Sequence, residues 1–296
     1  MKKKLSAGNI CVNIFFILFS LTFLIPFILI ISASFTEEHA LVANGYSLWP
    51  SELALDAYKY VFRNPDRLIT AYKVTIFYSV TATALSMVVM MLMAYPLSRP
   101  NYRYKRGVTF FIFFTMLFSG GLVPSYILMT KYLHIGNTIW VYILPYMANA
   151  FHIIVIRTFF QGLPDSLVES AKIDGAGELK ILFSIIMPLS KPVIATISLL
   201  TLLARWNDWN TALIYIRNSK LYSLQYLLQE ILRNVQFIQE MAQSSPVSGG
   251  LIDTSEIPSE TIRFAMCIVA AGPMLIIFPF FQKYFAKGLT VGAVKG

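Results

Sequence analysis

The chain has 296 residues, of which 56% are hydrophobic and only 13% are charged, about half the charged fraction of an ordinary soluble domain. This composition excludes a disordered chain and argues against a water-soluble enzyme, because a soluble core cannot bury so much apolar sequence. The formal charge is +9, yet no basic run is interleaved with aromatic residues on a polar segment, so the sequence does not indicate nucleic-acid binding.

Six apolar stretches are long enough to cross a bilayer as helices. The predicted spans are residues 11–33, 73–97, 108–130, 138–160, 192–216 and 261–283. The first is longer than the roughly 7 to 15 apolar residues of a signal peptide, so we interpret it as an uncleaved span. Between and after the spans lie outer loops 34–72 and 217–260, an inner loop 161–191 and a tail 284–296.

Basic residues set the predicted orientation. The short loop 98–107 carries four Lys or Arg residues and no acid. Short loops rich in Lys and Arg remain in the cytoplasm. We therefore predict that this loop, the inner loop 161–191 and both termini are cytoplasmic.

The two outer loops contain helical patterns of their own. Residues 55–62 form an amphipathic stretch that suits a helix on the outer surface. Residues 224–237 show polar and apolar residues at helical spacing, whereas the run 244–250 is rich in Ser, Gly and Pro and predicts a flexible loop.

Motifs of catalysis are missing from the sequence. It contains no Gly-x-x-x-x-Gly-Lys-Ser/Thr phosphate-binding loop. His39, His134 and His152 have no carboxylate or cysteine at ligand spacing, and Cys11 and Cys267 lie in apolar stretches. We therefore expect no catalytic residue, no metal and no cofactor bound by this chain. A transport function would draw its energy from a partner or from an ion gradient.

Ion-coupled carriers usually place acids or histidines at mid-membrane. Here Arg205 and Asp208 are the deep charged pair, and His152 is the one acid or histidine away from the span ends in the first four spans. This scarcity disfavours an ion-coupled carrier but leaves it open as an alternative.

The inner loop 161–191 predicts two short helices. Pro164 suits a first helical turn, and Asp174 and Gly175 break the helix, with Asp174 placed to cap the next one. Pro188 and Pro192 end the second helix. The apolar residues of the two helices are Leu167, Val168, Ala171, Ile181, Leu182, Ile185 and Ile186. This pattern alone fits both a knob that docks a partner and an elbow lying against the membrane.

The same loop contains the pattern Glu169-x-Ala171-x-x-Asp174-Gly175-Ala176. It is followed at matching spacing by Phe183, Ile186, Pro188 and Pro192. The pattern resembles the signature loop of the membrane subunits of binding-protein-dependent ABC importers, with Ser170 where Ala is usual. Residues 95–99, 205–209 and 287–296 are similar to the carbohydrate branch, and in particular to the shorter of the two maltose-type subunits and its relatives that serve complex oligosaccharides.

The resemblance implies an all-α polytopic membrane protein of six transmembrane helices with the type I ABC importer (MetI-like) permease fold, in the bacterial cytoplasmic membrane. The chain would be a non-catalytic permease subunit for a sugar or oligosaccharide, surrounded by membrane lipid. Its implied partners are a second related permease subunit, two ABC ATPase subunits that bind ATP-Mg, and an extracytoplasmic solute-binding protein. A permease for a non-sugar solute remains the alternative within this class.

The resemblance also implies roles for single residues. The expected ATPase-docking residues are Glu169, Ser170, Ala171, Asp174, Gly175, Ala176, Phe183 and Pro188. In the tail, Gly288, Lys295 and Gly296 would reach the ATPase, although the short glycine-punctuated segment by itself predicts only a frayed end. Ser248, Gly249 and Gly250 would probe the solute-binding protein.

A polar and aromatic cluster in the fifth span is the candidate translocation path. Its residues are Trp206, Asn207, Asp208, Trp209 and Asn210. Polar side chains at depth face a bundle interior or a water-filled path, and aromatic faces beside amides suit sugars. Hydrogen bonding between helices with Trp anchoring explains the same cluster without any sugar contact.

Overall fold

The computed structural model describes residues 7–244 and 259–293, and the regular elements in this part of the chain are helical. The α-helices are α1 (Ala7–Ser34), α2 (Glu38–Asn44), α3 (Asp56–Val61), α4 (Pro65–Ser98), α5 (Lys105–Leu117), α6 (Leu122–Ile127), α7 (Ala150–Gln161), α8 (Asp165–Ile173), α9 (Glu178–Ile181), α10 (Met187–Leu189), α11 (Lys191–Trp206), α12 (Asn210–Tyr215), α13 (Leu224–Ser244) and α14 (Ser259–Ala293). Single π-helical turns occupy Leu128–Tyr132 and Leu182–Ile186, and 3₁₀ turns occupy Ile139–Tyr142, Leu144–Tyr146 and Ser219–Leu221.

Three described segments are long and apolar enough to cross a membrane as single helices: Cys11–Ser34, Pro65–Ser98 and Ser259–Gln282. Three more candidates are helix pairs bent at a short break. The bends are 111° between Lys105–Leu117 and Leu122–Tyr132, 48° between Ile139–Tyr146 and Ala150–Gln161, and 85° between Glu178–Leu189 and Lys191–Trp206.

The continuous helices predicted over residues 108–130, 138–160 and 192–216 are therefore corrected. In the first, α5 ends at Leu117 because Phe118 is extended, and Gly121, with φ +83°, precedes α6, which runs in a new direction. In the second, 3₁₀ turns precede α7, whose first turn is capped by the side chain of Asn149. In the third, residues 207–209 separate α11 from α12.

The loops also hold more helix than the sequence predicted. Helix α4 begins at Pro65, inside the predicted outer loop 34–72, because proline suits a first helical turn. Helix α3 confirms the amphipathic helix, and α13 extends the predicted helix of residues 224–237 to Ser244. Helix α14 continues to Ala293, so the described part of the predicted frayed tail is helical.

The chain divides into two compact units. The first comprises residues 1–68 and 228–273. In it, the carboxylate of Glu38 accepts hydrogen bonds from the backbone amides of Glu260 and Thr261, at 2.8 and 2.9 Å, and so caps the N-terminus of α14. Arg67 and Glu230 form an ion pair at 3.1 Å. Side chains of α1 between Val12 and Ile31 remain largely exposed, as a lipid-facing helix requires.

The second unit comprises residues 69–227 and 274–296 and holds two apolar clusters. One packs the C-terminal half of α4 against α7, the inner loop and the start of α11, with Met90, Ile156, Phe160, Ile181 and Ile186 all nearly inaccessible. The other surrounds a stacked pair, Tyr78 and Tyr142, whose ring centroids lie 4.3 Å apart. These clusters carry the two candidate sites.

Candidate functional site

The inner loop folds as a helical hairpin that divides the predicted residues into two groups. Val168 and Ala171, on α8, are buried in the apolar cluster, as are Ile181, Leu182 and Ile186 in the second helix. Hydrophobic burial therefore fixes the inner face of the hairpin. The outward residues are Glu169, Ser170, Asp174, Gly175, Phe183 and Pro188, while Ala176 is half-buried. We call the six outward residues, together with exposed Ile173 and Leu179, the loop surface.

The turn between α8 and α9 depends on Gly175. Its φ is +79°, a left-handed conformation that favours glycine, and its amide donates to the carbonyl of Lys172 at 3.0 Å. The prediction that Asp174 and Gly175 break the helix is confirmed. The prediction that Asp174 caps the second helix is wrong, because α9 begins at Glu178 after Gly177, three residues beyond Asp174, and has no side-chain cap.

Apolar side chains on the loop surface are unusually open. Ile173 is 87% exposed and Leu179 is 64% exposed. Exposed aliphatic residues beside the carboxylates of Glu169 and Asp174 are typical of a surface that packs against another protein. The loop surface can therefore offer a partner exposed apolar side chains beside charged ones, the two carboxylates and the neighbouring exposed Lys180.

The hairpin is tied to the end of α4 by three side chains that we call the latch: Tyr95, Lys172 and Glu178. The Tyr95 hydroxyl donates to Glu178 Oε2 at 2.6 Å, and Lys172 Nζ lies 2.7 Å from Glu178 Oε1. One carboxylate thus joins α8, α9 and α4. The hydrogen bonds from Lys172 and Tyr95 lower the pKa of Glu178, so it is ionised at neutral pH.

Arg99 extends the connection beyond the latch. Its guanidinium lies 5.0 Å from the Tyr95 ring centroid and 3.5 Å from Asp165 Oδ1 at the start of α8. A cavity of about 440 Å³ lies beside these residues, lined by Tyr95, Arg99, Lys172 and Glu178 among others. The hairpin is therefore joined to the end of α4 through polar contacts as well as through packing.

The second candidate site is the break between α11 and α12. Arg205 NH1 and Asp208 Oδ2 form an ion pair at 3.0 Å, with the two side chains 14% and 9% exposed. The Asp208 carboxylate also accepts from the Thr211 amide at 3.0 Å and from the Thr211 hydroxyl at 2.7 Å, which caps α12. The Arg205 guanidinium stacks 3.7 Å from the ring centroid of Tyr146.

Residues from distant segments hold this break in place. The hydroxyl of buried Tyr78, on α4, donates to the Arg205 carbonyl at 3.0 Å. The Ser223 hydroxyl donates to the Asp208 carbonyl at 3.0 Å. The Ser223 bond gives the Asp208 carbonyl a partner, and the Tyr78 bond adds a side-chain donor to the Arg205 carbonyl, which already accepts from the Asp208 amide at 3.2 Å. Specific side chains from other segments therefore stabilise the break.

The five predicted path residues divide into two kinds. Trp206 is buried, with its ring near Tyr72, and Asp208 belongs to the ion pair, so both support the structure of the break. Asn207, Trp209 and Asn210 are exposed, and Gln225 Nε2 lies 3.4 Å from Asn207 Oδ1. An indole with neighbouring amides can contact a sugar, and these outward residues are the part of the cluster that remains available for one.

Other predicted residues lie elsewhere in the chain. Gly288 falls within α14, whereas Lys295, Gly296 and the segment with Ser248, Gly249 and Gly250 lie outside the described residues. Among the described residues, no cluster of three or more His, Cys, Asp or Glu side chains is arranged to hold a metal ion.

Sequence reasoning missed the residues that hold each of the two sites in place. From the sequence, Tyr95 and Arg99 had no role beyond the resemblance of residues 95–99 and the positive charge of loop 98–107, and Lys172 and Glu178 had no predicted role. Their spacing carries one usable signal: two opposite charges, six residues apart, flank a predicted glycine turn. The tyrosines around Arg205 carried no such signal.

Comparisons with known proteins agree with this geometry. Residues 5–291 match the family described as "Binding-protein-dependent transport system inner membrane component". The polygalacturonan/rhamnogalacturonan transport system permease protein YtcP of Bacillus subtilis is 41% identical over 95% of this chain and 96% of that protein. The arabinooligosaccharides transport system permease protein AraQ of Halalkalibacterium halodurans is 29% identical over the full length of both chains.

A solved structure shows the same fold. It is the crystal structure of a bacterial ABC transporter involved in the import of the acidic polysaccharide alginate, with 30% sequence identity and a TM-score of 0.76 over 96% of this chain and 99% of that chain. The predicted all-α MetI-like permease fold is confirmed, and the ion-coupled carrier is not supported. This chain belongs to the family of binding-protein-dependent transport system inner membrane components and is a permease subunit of an ABC importer.

Proposed function

We propose that this subunit forms half of the translocation path for a sugar or oligosaccharide, with a second related permease subunit forming the other half. Two ABC ATPase subunits bind ATP-Mg and hydrolyse it, and an extracytoplasmic solute-binding protein delivers the substrate. This chain binds no cofactor of its own. The observation that carries the proposal is the loop surface, an exposed apolar and acidic hairpin tied by the latch to a membrane-length helix.

The loop surface is the proposed docking site for one ATPase subunit. Ile173 and Leu179 would supply apolar contact area, and Glu169 would face a basic group of the ATPase. The inner loop, both termini and the loop 98–107 then lie in the cytoplasm, in agreement with the four basic residues of that loop. The C-terminal segment that includes Gly288, Lys295 and Gly296 lies on the same side and contacts the ATPase.

ATP-driven closure of the ATPase pair would move the hairpin as a rigid element. Tyr95 and Glu178 would pass this displacement to α4, while burial of Ile181 and Ile186 would pass it to the packed helices of the same unit. Packed interfaces transmit such shifts because they have discrete arrangements and do not deform continuously. The result is the switch between inward-facing and outward-facing states.

Two observations support a sugar as the substrate. The permeases similar to this chain include those named for polygalacturonan/rhamnogalacturonan and arabinooligosaccharides, and the similar structure belongs to an importer of alginate. In addition, Asn207, Trp209 and Asn210 offer an indole face and amides at the helix break. Since two of these relatives handle acidic polysaccharides, an oligogalacturonide is the first ligand to test.

Co-purification tests the proposed assembly. The tagged chain, expressed with its neighbouring transport genes and extracted in mild detergent, is expected to retain two ATPase subunits and one other permease. Replacement of exposed Ile173 by Glu should release the ATPase while leaving the second permease bound. Arg103→Glu, on the neighbouring basic loop and also exposed, is the control. Recovery of the wild-type chain without any ATPase would contradict the proposal.

Uptake assays test the substrate. Reconstituted vesicles supplied with the solute-binding protein should accumulate an oligogalacturonide or a neutral oligosaccharide in proportion to internal ATP. Accumulation of a peptide or an inorganic ion, with no sugar accumulated, would favour a permease for a non-sugar solute. Accumulation driven by an ion gradient without ATP would contradict the importer mechanism.

A further inference from the structure

An open groove of about 1000 Å³ follows α5 and ends at three basic side chains. The basic residues are Lys105 and Arg106, at the start of α5, and Arg157 on α7. Phe110, Phe114 and Leu117 line the remainder. In the described part of the chain, no aspartate or glutamate lines the groove. One end is therefore strongly positive, and the other is apolar.

Within the part of the chain that the structure describes, the cations at the positive end, Lys105 and Arg106 among them, have no ion-pair partner. The first turn of α5 contains no acid, and the residue preceding the helix provides no side-chain cap, so the partial positive charge of the helix terminus adds to the two cations. Arg157 is held nearby, because its Nε donates to the Leu97 carbonyl at 3.1 Å and its NH1 to the Thr109 hydroxyl at 3.3 Å.

The apolar end consists of side chains that this chain leaves exposed. Phe110 is 71% exposed and Leu117 is 70% exposed. Helix α5 has 13 residues, so the apolar wall extends over about 20 Å from the cations. The groove thus has a cluster of positive charge followed by a long apolar strip. This arrangement complements the phosphate and the acyl chain of one phospholipid lying along the helix.

We propose that this groove binds an anionic phospholipid, with its phosphodiester on Lys105, Arg106 and Arg157 and an acyl chain along Phe110, Phe114 and Leu117. The inference rests on the proposed orientation, which puts the loop 98–107 at the cytoplasmic surface, where anionic headgroups attract basic residues. A second permease subunit could cover the apolar wall, but it would have to supply acids for three cations. A lipid phosphate satisfies them directly.

Lipid binding to the purified importer tests the site. The complex is placed in nanodiscs containing phosphatidylglycerol and phosphatidylcholine, and the retained lipid is measured by native mass spectrometry. The double variant Lys105→Gln with Arg106→Gln should weaken phosphatidylglycerol binding about thirty-fold, since each basic residue near an anionic surface contributes to attraction. The control, Arg103→Gln with Lys180→Gln, removes the same charge from two exposed side chains outside the groove.

We expect the complex to lose phosphatidylglycerol only in the double variant Lys105→Gln with Arg106→Gln, and to retain the same amount of phosphatidylcholine in every sample. An equal loss of phosphatidylglycerol in the groove variant and in the control variant would overturn the lipid site. So would a wild-type complex that shows no preference for phosphatidylglycerol. Retention of the ATPase subunits in the same samples is measured separately. Failure of the lipid site with the ATPase retained leaves the importer assignment intact, whereas loss of the ATPase from the wild-type complex rejects that assignment.

A photoreactive residue at exposed position Phe110 gives a second measurement that does not remove a charge. Irradiation of the complex in membranes should yield a phospholipid adduct on this chain. An adduct with the second permease subunit in place of lipid would show that a protein covers the groove and would overturn the proposal.

Discussion

The latch and the helix break contain ion pairs of similar length in very different surroundings. Lys172 and Glu178 lie 2.7 Å apart and are each about half exposed, whereas Arg205 and Asp208 lie 3.0 Å apart and are almost fully buried. Exposed pairs contribute about 0 to 1 kcal/mol to stability, while removal of one partner of a buried pair costs about 3 to 5 kcal/mol. The latch therefore positions the hairpin against α4 and adds little stability, whereas the structure of the break depends on its ion pair.

The largest expected effect follows from Asp208→Ala. It leaves the Arg205 guanidinium buried without a counter-charge and removes the cap of α12, so we expect a loss of about 3 kcal/mol or more in the free energy of unfolding. Thermal denaturation of the purified subunit in detergent measures it.

Asp56→Ala is the matched control for that change. Asp56 and Lys59 form an ion pair of the same three-residue spacing at 2.8 Å, but both side chains are largely exposed. Its loss should cost less than about 1 kcal/mol. Equal destabilisation by Asp208→Ala and Asp56→Ala would show that burial does not make the two ion pairs differ in their contribution to stability.

Trp209→Ala is expected to act on transport with little effect on stability. The indole is 42% exposed at the break, and removal of an aromatic contact to a sugar should reduce uptake roughly tenfold. Trp140→Ala, which removes an indole of similar exposure (49%), is the control. Unchanged uptake in the Trp209 variant, measured with radiolabelled sugar in vesicles, would remove this residue from the path.

Glu178→Gln should separate coupling from stability. The variant loses the ion pair with Lys172 and weakens the bond to Tyr95, at a cost of about 1 kcal/mol or less. Transport per ATP hydrolysed should nevertheless fall severalfold, and Lys172→Gln should reproduce the effect without adding to it in the double variant. Lys180→Gln, on the same short helix, should leave the ratio unchanged.

The smallest expected effect concerns pH. Because the pKa of Glu178 is lowered by Lys172 and Tyr95, its contribution is fully present above the ordinary glutamate pKa of 4.5 and is lost only as the pH falls through the lower folded value. Coupling should therefore stay constant over about pH 6 to 8 inside vesicles. A transition near pH 6 that disappears in Glu178→Gln would contradict this pKa.

The sequence predicted those parts of the fold that depend on local chemistry. Apolar stretches located the long helices, and Gly175 located the turn of the hairpin, because backbone conformation at glycine is decided within a few residues. It also placed Arg205 and Asp208 together, since they are only three positions apart in the chain.

The remaining features depend on contacts between distant segments. The 111° bend after α5 is an exception, because Gly120, Gly121 and Pro124 mark it locally. Hydropathy alone shows this run, and the run that contains the 3₁₀ turns before α7, as continuous. Tyr78, Tyr146 and Ser223 come from separate segments and meet only around residues 205–211. Hydropathy cannot distinguish a buried tyrosine that donates to a broken helix from one at the membrane interface.

The most direct test of coupling through the inner loop compares Gly175→Val with Gly177→Val in the reconstituted importer. Neither added Cβ meets an atom within 4 Å, but φ is +79° at Gly175 and −71° at Gly177. Only the first change is therefore strained, because a β-branched residue does not tolerate the left-handed conformation. The measurement is ATPase activity stimulated by the sugar-loaded binding protein. We expect stimulation to be lost in Gly175→Val and kept in Gly177→Val, and full stimulation in both variants would contradict the account.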